Sequence, residues 1–391
     1  MLPEASTGLF DLSADQIAIQ SAARKFAQQE LIAVADEIES SSEPLDPVWR
    51  KEYARSGFLG VNIEERWGGI GLSNLEALLI VKEFAMVSQA VAWPVFESVV
   101  GPVKIIEKFA GEDLKARLLP AVCRGEIVIA AAMSEPDAGS ALTDLKTTAV
   151  KTQNGYVLNG QKRWCSGAGH AEGYLVFCRL GDGPRKDNMA AIYVDRDHPG
   201  LSFGQQESLM GFRGIGSADI FLDNVEVPES HVVVPAGSIG RLMSVFNLER
   251  CGNATMCLAN AEAAFQISLA YVQERKQFGK PIVDFQAVQM RLADMYMRLR
   301  AAELLIYRAV GSSDALPTAE ASSLAKCYAN EIAREVTSNA MQIMGGYGYA
   351  RAYGVERRHR DAWGWGVAGG VIDIQKINLA SHLVGRRFSQ R

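Results

Sequence analysis

Glu249 and Arg250 interrupt a run, residues 242–261, that holds no other charged side chain. A helix apolar on nearly all sides is expected to be buried, and charge is seldom tolerated there without a partner or a task. One reading is a structural ion pair. The other is a carboxylate whose pKa burial lifts toward neutrality, which suits a general base. A second chemical stretch is 129–166. Its apolar opening, 129–133, breaks into Ser134-Glu135-Pro136-Asp137-Ala138-Gly139-Ser140, where Pro136 and Gly139 stop a strand. It ends on Gln161-Lys162-Arg163-Trp164-Cys165-Ser166, a flat aromatic beside a hydroxyl. That pairing suits a planar polar ring, and equally a β-domain with a core Trp. In Arg275-Lys276-Gln277-Phe278-Gly279, the Arg and Gln could grip a phosphate beside a stacking aromatic, or simply end a basic helix at Gly279. Gln342 to Gly346 and Ala368-Gly369-Gly370-Val371 offer backbone bare enough for close approach to a ligand, the second at the start of the last helix. Helix capping alone would also explain Gly345.

Such residues need two kinds of scaffold. From 13 to about 125 the chain reads as helical, with capping boxes at Ser13/Gln16 and Ser73/Glu76 and helix stops at Gly57 and Gly111. Residues 93–96 are possible pocket walls. From Gly125 to about Val234 short β-rich runs alternate with turns: 174–178, 190–194 and 220–227, with a hairpin at Asn154-Gly155 and a second turn at Asn159-Gly160. From Ser238 the pattern is helical again, and Phe285, Val288, Leu292, Met295 and Leu299 recur at steps of three and four as a bundle seam. The expected fold is α+β, helices then sheet then helix bundle, with domains over 1–125, 126–235 and 236–391.

Composition removes other classes. The chain has 391 residues, 48% of them hydrophobic, enough for a large core in two or three domains. A net charge of −5 without long basic runs argues against nucleic acid as partner. Six scattered cysteines and five isolated histidines form no metal-ligand spacing, so no metal is expected and the thiols read as reduced, in a cytoplasmic protein. Met1-Leu2-Pro3-Glu4 lacks a leader pattern, and no apolar stretch reaches membrane-spanning length. Met210-Gly211-Phe212-Arg213-Gly214-Ile215-Gly216 is glycine-dense but has the wrong spacing and no βαβ context for a dinucleotide fingerprint.

Taken together, Met133 to Ser140, Trp164-Cys165-Ser166, Met210 to Gly214, Arg275 to Gly279, Gln342 to Gly346 and Arg360-Asp361 resemble, in order, the motifs of the acyl-CoA dehydrogenase family. The resemblance covers almost the whole chain. It implies a helical N-terminal domain, a middle β-barrel-like domain and a C-terminal four-helix bundle, assembled as a homotetramer or homodimer. It implies FAD, with Met133, Ser134, Trp164 and Ser166 toward the flavin ring. Arg275, Gln277, Phe278, Gln342, Gly345 and Gly346 would serve its pyrophosphate and adenosine, partly across a subunit interface. Ser140, Asn247, Arg250, Gly369 and Gly370 would line the acyl-CoA side, and an electron-transferring flavoprotein would take the electrons. The sequence departs from the commonest pattern where most members carry the catalytic base: that position is Gly369, followed by Gly370-Val371 in place of Gly-Thr. Ala141 replaces an acidic residue often found there. The isovaleryl-CoA and long-chain members are similar in having a small residue at that position and the base where Glu249 stands. The implied reaction is thus α,β-dehydrogenation of an acyl-CoA with Glu249 as base. The alternatives are a sulfinoacyl-CoA desulfinase, which also lacks the usual base, and a degenerate partner subunit. Gly366, Gly369 and Gly370 beside Trp363 and Trp365 suggest a pocket floor trimmed of bulk, or ordinary helix packing.

Overall fold

The computed structural model describes residues 11–181, 187–311 and 316–388; Met1-Leu2-Pro3-Glu4, the stretch read for a leader pattern, lies outside them. Helices come first: α1 (Ala14–Glu30), α2 (Ile32–Ser41), α3 (Pro47–Arg55), α4 (Asn74–Val87), α5 (Gln89–Val99), α6 (Gly101–Phe109) and α7 (Glu112–Cys123). Eight strands follow among the described residues: β1 (Ile129–Ala132), β2 (Thr148–Lys151), β3 (Gly155–Ser166), β4 (Gly173–Leu180), β5 (Met189–Asp195), β6 (Leu201–Phe203), β7 (Ser217–Pro228) and β8 (Val232–Val234). The chain then returns to helix with α8 (Ile239–Glu274). A small ribbon of β9 (Lys276–Gln277) and β10 (Lys280–Pro281) leads to α9 (Gln286–Val310) and α10 (Ala319–Met344). The last helices are α11 (Gly346–Tyr349), α12 (Val355–Gly364) and α13 (Ile372–Val384). The order of helices, sheet and helices is the expected one.

Two compact units divide this chain. The first comprises Met1–Ile32, Asn74–Ser88 and Arg250–Arg391. Its entry helix opens on a capping box: Ser13 accepts the Gln16 amide while the Gln16 side chain accepts the Ser13 amide. Phe26 of α1 stacks on Phe84 of α4, ring centres 5.8 Å apart. Buried Lys82 of α4 bonds Glu262 of α8 at 2.9 Å and Glu303 of α9 at 2.6 Å. Arg358 of α12 is buried and donates to the carbonyls of Met86 and Val87, both at 2.7 Å, capping the end of α4. In α9 the buried seam is Leu292, Met295 and Leu299, continued by Ala302 and Ile306. Phe285 and Val288 are only half-buried, so the seam begins about two turns later than its spacing suggested.

The second unit, Ala33–Ser73 and Gln89–Glu249, carries the sheet. Its strand order is β6-β7-β3-β2-β4-β5-β8, with β1 parallel to β4. The hairpin through Asn154-Gly155 joins β2 to β3, pairing Lys151 with Tyr156. Asn159-Gly160 is not a turn. β3 runs straight through it, and the register against β7 slips between Leu158 and Gly160. Gly160 has φ +153, and a Cβ there would lie 2.7 Å from the Thr147 Cα. The glycine therefore marks a bulge at a close backbone approach rather than a reversal. A second slip between Lys162 and Cys165 contains Trp164. In this unit α5 is buried along its whole length.

Candidate active site

One buried ion pair supports the loop that follows β1. Lys162 of β3 has no exposed surface; it donates to Glu135 at 2.8 Å and to the Met133 carbonyl at 3.1 Å. Glu135 also accepts the backbone amides of Lys146 (2.5 Å) and Thr147 (2.9 Å). Burial alone would raise the Glu135 carboxyl, but the Lys162 charge and these bonds hold it below the usual carboxylate range. Burial in turn pulls the Lys162 ammonium down, against the opposing pull of Glu135. The Ser134 carbonyl accepts the Arg163 amide at 3.0 Å. Met133 and Ser134 are thus held through their backbones, whereas Ser140 is exposed beyond the Glu135–Ala138 turn.

Trp164 is 55% exposed and sits at φ +63, a conformation uncommon for a bulky residue. The β-bulge re-aims it. The Arg163 guanidinium lies 4.4 Å over its ring and is itself clamped by Asp219 (2.9 and 3.0 Å) and Glu207 (2.6 Å). Ser166 closes the strand opposite Ser217. At the next residue, a Cβ on Gly167 would fall 2.4 Å from the Trp93 ring, so the glycine admits α5 against this turn.

Trp93 leads to two carboxylates. Its indole N–H donates to Glu97, one turn further along α5, at 3.1 Å. Glu97 is 8% exposed, and its Oε2 has no hydrogen-bond partner among the described residues. A Cβ on Gly101 (φ +58) would lie 3.7 Å from that oxygen and 3.9 Å from the Glu249 Cγ. Both carboxylic side chains therefore converge on the bare face of one glycine. Burial, then the neighbouring Glu249 charge, pushes the Glu97 carboxyl up to about 8, against the Trp93 N–H. Glu249 and Arg250 are half-buried rather than fully buried, whereas residues 245–248 and 251–265 are buried. The expectation that both charges lie deep in the core is corrected: they form a half-exposed step in an otherwise covered helix. Asn247 is buried beside them.

In the first unit, Arg275 and the Gly345-Gly346 turn come together where α8 and α10 end. Arg275 lies 5.6 Å from the Tyr347 ring, which also meets Tyr271 at 5.6 Å. Tyr347 directly follows Gly345-Gly346, where an added Cβ would meet nothing within 4 Å. Gln277 and Gln342 are exposed, and Phe278 is 93% exposed at φ +50. Gly369 and Gly370, at φ +61 and +87, lead into α13. The floor reading fails at Gly366, where a Cβ would fall 2.0 Å from an Arg334 nitrogen. Its bareness makes room for that guanidinium, which stacks 4.1 Å over Trp363. Arg360 is paired with Glu356 one turn earlier on α12, at 2.6 and 3.0 Å.

Trp93 falls within the 93–96 stretch read as a possible pocket wall, whereas Glu97 was passed over, although the signal was present. Glu97 is the only charged residue in 84–103, the same isolation that marked Glu249. No described helix is long and apolar enough to cross a membrane.

Comparison with known proteins gives three family matches: acyl-CoA dehydrogenase N-terminal domain over residues 13–126, middle domain over 130–225 and C-terminal domain over 239–384. A 3-sulfinopropanoyl-CoA desulfinase of Variovorax paradoxus is 33% identical, over 98% of this chain and 97% of its own. An acryloyl-CoA reductase (NADH) of Anaerotignum propionicum is 36% identical, over 96% of each. The structure of butyryl-CoA dehydrogenase from Megasphaera elsdenii superposes with a TM-score of 0.92 at 29% identity, covering 96% of this chain and 99% of that one.

Proposed function

The chain belongs to the acyl-CoA dehydrogenase family, FAD-dependent oxidoreductases acting on CH–CH bonds, and we propose that Glu249 is the base that takes the α-proton of its acyl-CoA thioester. The observation that carries this reading is the meeting of Glu249 and Glu97 over Gly101, in a chain whose position 369 holds no carboxylate.

The residues present fit FAD. The exposed, clamped face of Trp164 with Ser166 and the fixed backbone of Met133 and Ser134 suits a flavin ring. Arg275, Gln277, Phe278 and Gln342, with the open backbone at Gly345-Gly346, suit the pyrophosphate and adenosine. The chemistry FAD supplies when bound is acceptance of the hydride from the β-carbon.

The rest falls to side chains and backbone of this chain. A thioester α-proton is weakly acidic, so its removal needs a placed carboxylate and donors to the developing enolate oxygen. Glu249 accepts the proton. Glu97, held protonated below about pH 8, leaves the pair with a single negative charge, on the base. Backbone N–H groups at Gly369-Gly370 donate to the thioester oxygen, while Ser140, Asn247 and Arg250 line the acyl-CoA. An electron-transferring flavoprotein is the proposed acceptor, a homotetramer or homodimer the proposed assembly, and the cytoplasm the proposed compartment.

The test is anaerobic mixing of the yellow holoprotein with straight-chain, branched, aromatic and sulfino acyl-CoAs. Bleaching of the flavin by one or more of the first three is expected. Sulfite release from the sulfinoacyl-CoA with no bleaching by any other would establish desulfination instead, the reading favoured by the desulfinase relative and the glycine at 369.

A further inference from the structure

We propose that Lys326 is a positioning residue for this reaction: it fixes and polarises the Ala368–Gly369 amide, making the Gly369 N–H a charge-backed donor to the thioester oxygen. The inference rests on the reading above for its substrate, but not for the fate of the electrons.

Lysine is almost never fully buried, yet Lys326 of α10 has no exposed surface. Its ammonium donates to the carbonyls of Ala368 (2.5 Å) and Gly369 (2.9 Å). Two further buried side chains serve the same segment. Asn253 of α8 donates to the Trp365 carbonyl at 3.0 Å and lies 3.5 Å from that of Ala368. Its own side-chain oxygen accepts from Asn330 at 2.9 Å, one turn after Lys326 on the same face of α10. On the far side Gln375, bonded by Ser323 at 3.1 Å, stands 2.9 Å from where a Cβ on Gly370 would be. The 365–370 segment, irregular and ending in two left-handed glycines, is therefore set by side chains reaching it from α8, α10 and α13.

In a trans planar amide the C=O and N–H lie on opposite edges of one plane and point opposite ways. The oxygen of Ala368 and the N–H of Gly369 belong to the same amide. An ammonium on that oxygen thus turns the N–H away from Lys326, draws density toward oxygen and strengthens the N–H as a donor. This N–H makes no hydrogen bond among the described residues. A neutral donor would suffice to hold a turn. A buried charge carries a large desolvation penalty, and polarising the donor of a developing enolate uses the charge itself.

The test compares Lys326→Gln, which keeps N–H donors and loses the charge, and Lys326→Met with the wild-type holoenzyme and Glu249→Gln. The readouts are retained FAD, flavin reduction by acyl-CoA, and the carbonyl stretch of a bound, carbonyl-labelled acyl-CoA by infrared difference. Lys326→Gln is expected to slow reduction about 10-fold, less than the loss of a whole oxyanion donor, with KM little changed. Its bound carbonyl stretch should return toward the solution value. Glu249→Gln should slow reduction while leaving the wild-type carbonyl frequency, a separation that a merely structural lysine would not give. A folded, FAD-bound Lys326→Gln with the wild-type frequency overturns the proposal. If neither lysine variant retains FAD, the wild type decides: an unshifted carbonyl refutes it and a lowered one supports it. A lowered carbonyl in a wild type that no acyl-CoA can bleach would sink the dehydrogenase reading and leave this inference standing.

Discussion

Two carboxyl groups meeting over Gly101 cannot both be ionised cheaply. Glu97 is the one that keeps its proton, because it is the more deeply covered and Glu249 stands beside it. Its pKa rises from an ordinary 4.5 to about 8 on folding. Between those values the folded chain holds a proton that the unfolded chain has released, so this group makes stability fall as pH rises from about 4.5 to about 8. Glu97→Gln removes that slope. Urea midpoints at pH 5, 6, 7 and 8 should show the variant gaining on the wild type with each step; curves that stay parallel would contradict the assignment. Both acids announce themselves as the lone carboxylates of apolar runs. What a linear sequence could not supply was their meeting, since it depends on a glycine at the α5–α6 turn approached by a helix almost 150 residues later. Lys162 was less legible still. A lysine in a strand reads as solvent-facing by alternation, and the flanking bulges break that alternation.

At the scale of elements, β3 is the device that orients the loop and the aromatic. The Asn159-Gly160 pair is a strong turn signal taken locally, but pairing with β7 on one side and β2 on the other keeps the strand extended and turns the glycine into a bulge. Removing the charge beneath it tests the support. Lys162→Met leaves the Glu135 carboxylate without its counter-charge, and loss of one partner from a buried pair costs about 3–5 kcal/mol. Glu135 is held below its unfolded pKa, so its stabilising contribution is present at neutral pH and disappears as pH falls through the folded value. The gap between variant and wild type in urea unfolding should accordingly shrink on acidification; a gap independent of pH would argue against the pair as its source. Gly167→Ala probes the contact with α5. Its Cβ would meet the Trp93 ring at 2.4 Å on a backbone at φ +70, and overpacking of this kind typically costs about 1–3 kcal/mol. A lowered urea midpoint and a displaced Trp fluorescence are expected, and an unchanged midpoint would show that the ring yields freely.

For the whole molecule, the order of helices, strands and helices was readable from the change of hydrophobic period near residues 125 and 235. The division into two compact units was not. It cuts the N-terminal helices apart and crosses α8 between Glu249 and Arg250, and contiguity in sequence carries no record of which segments pack together. The family matches place the chain among flavin-dependent acyl-CoA enzymes, and the missing carboxylate at 369 makes the identity of the base the central question. Single-turnover reduction of Glu249→Gln by the best acyl-CoA substrate answers it most directly. The account predicts a holoprotein that keeps its FAD and reduces roughly 10²–10⁴-fold more slowly than wild type. Reduction at a near-wild-type rate would contradict it.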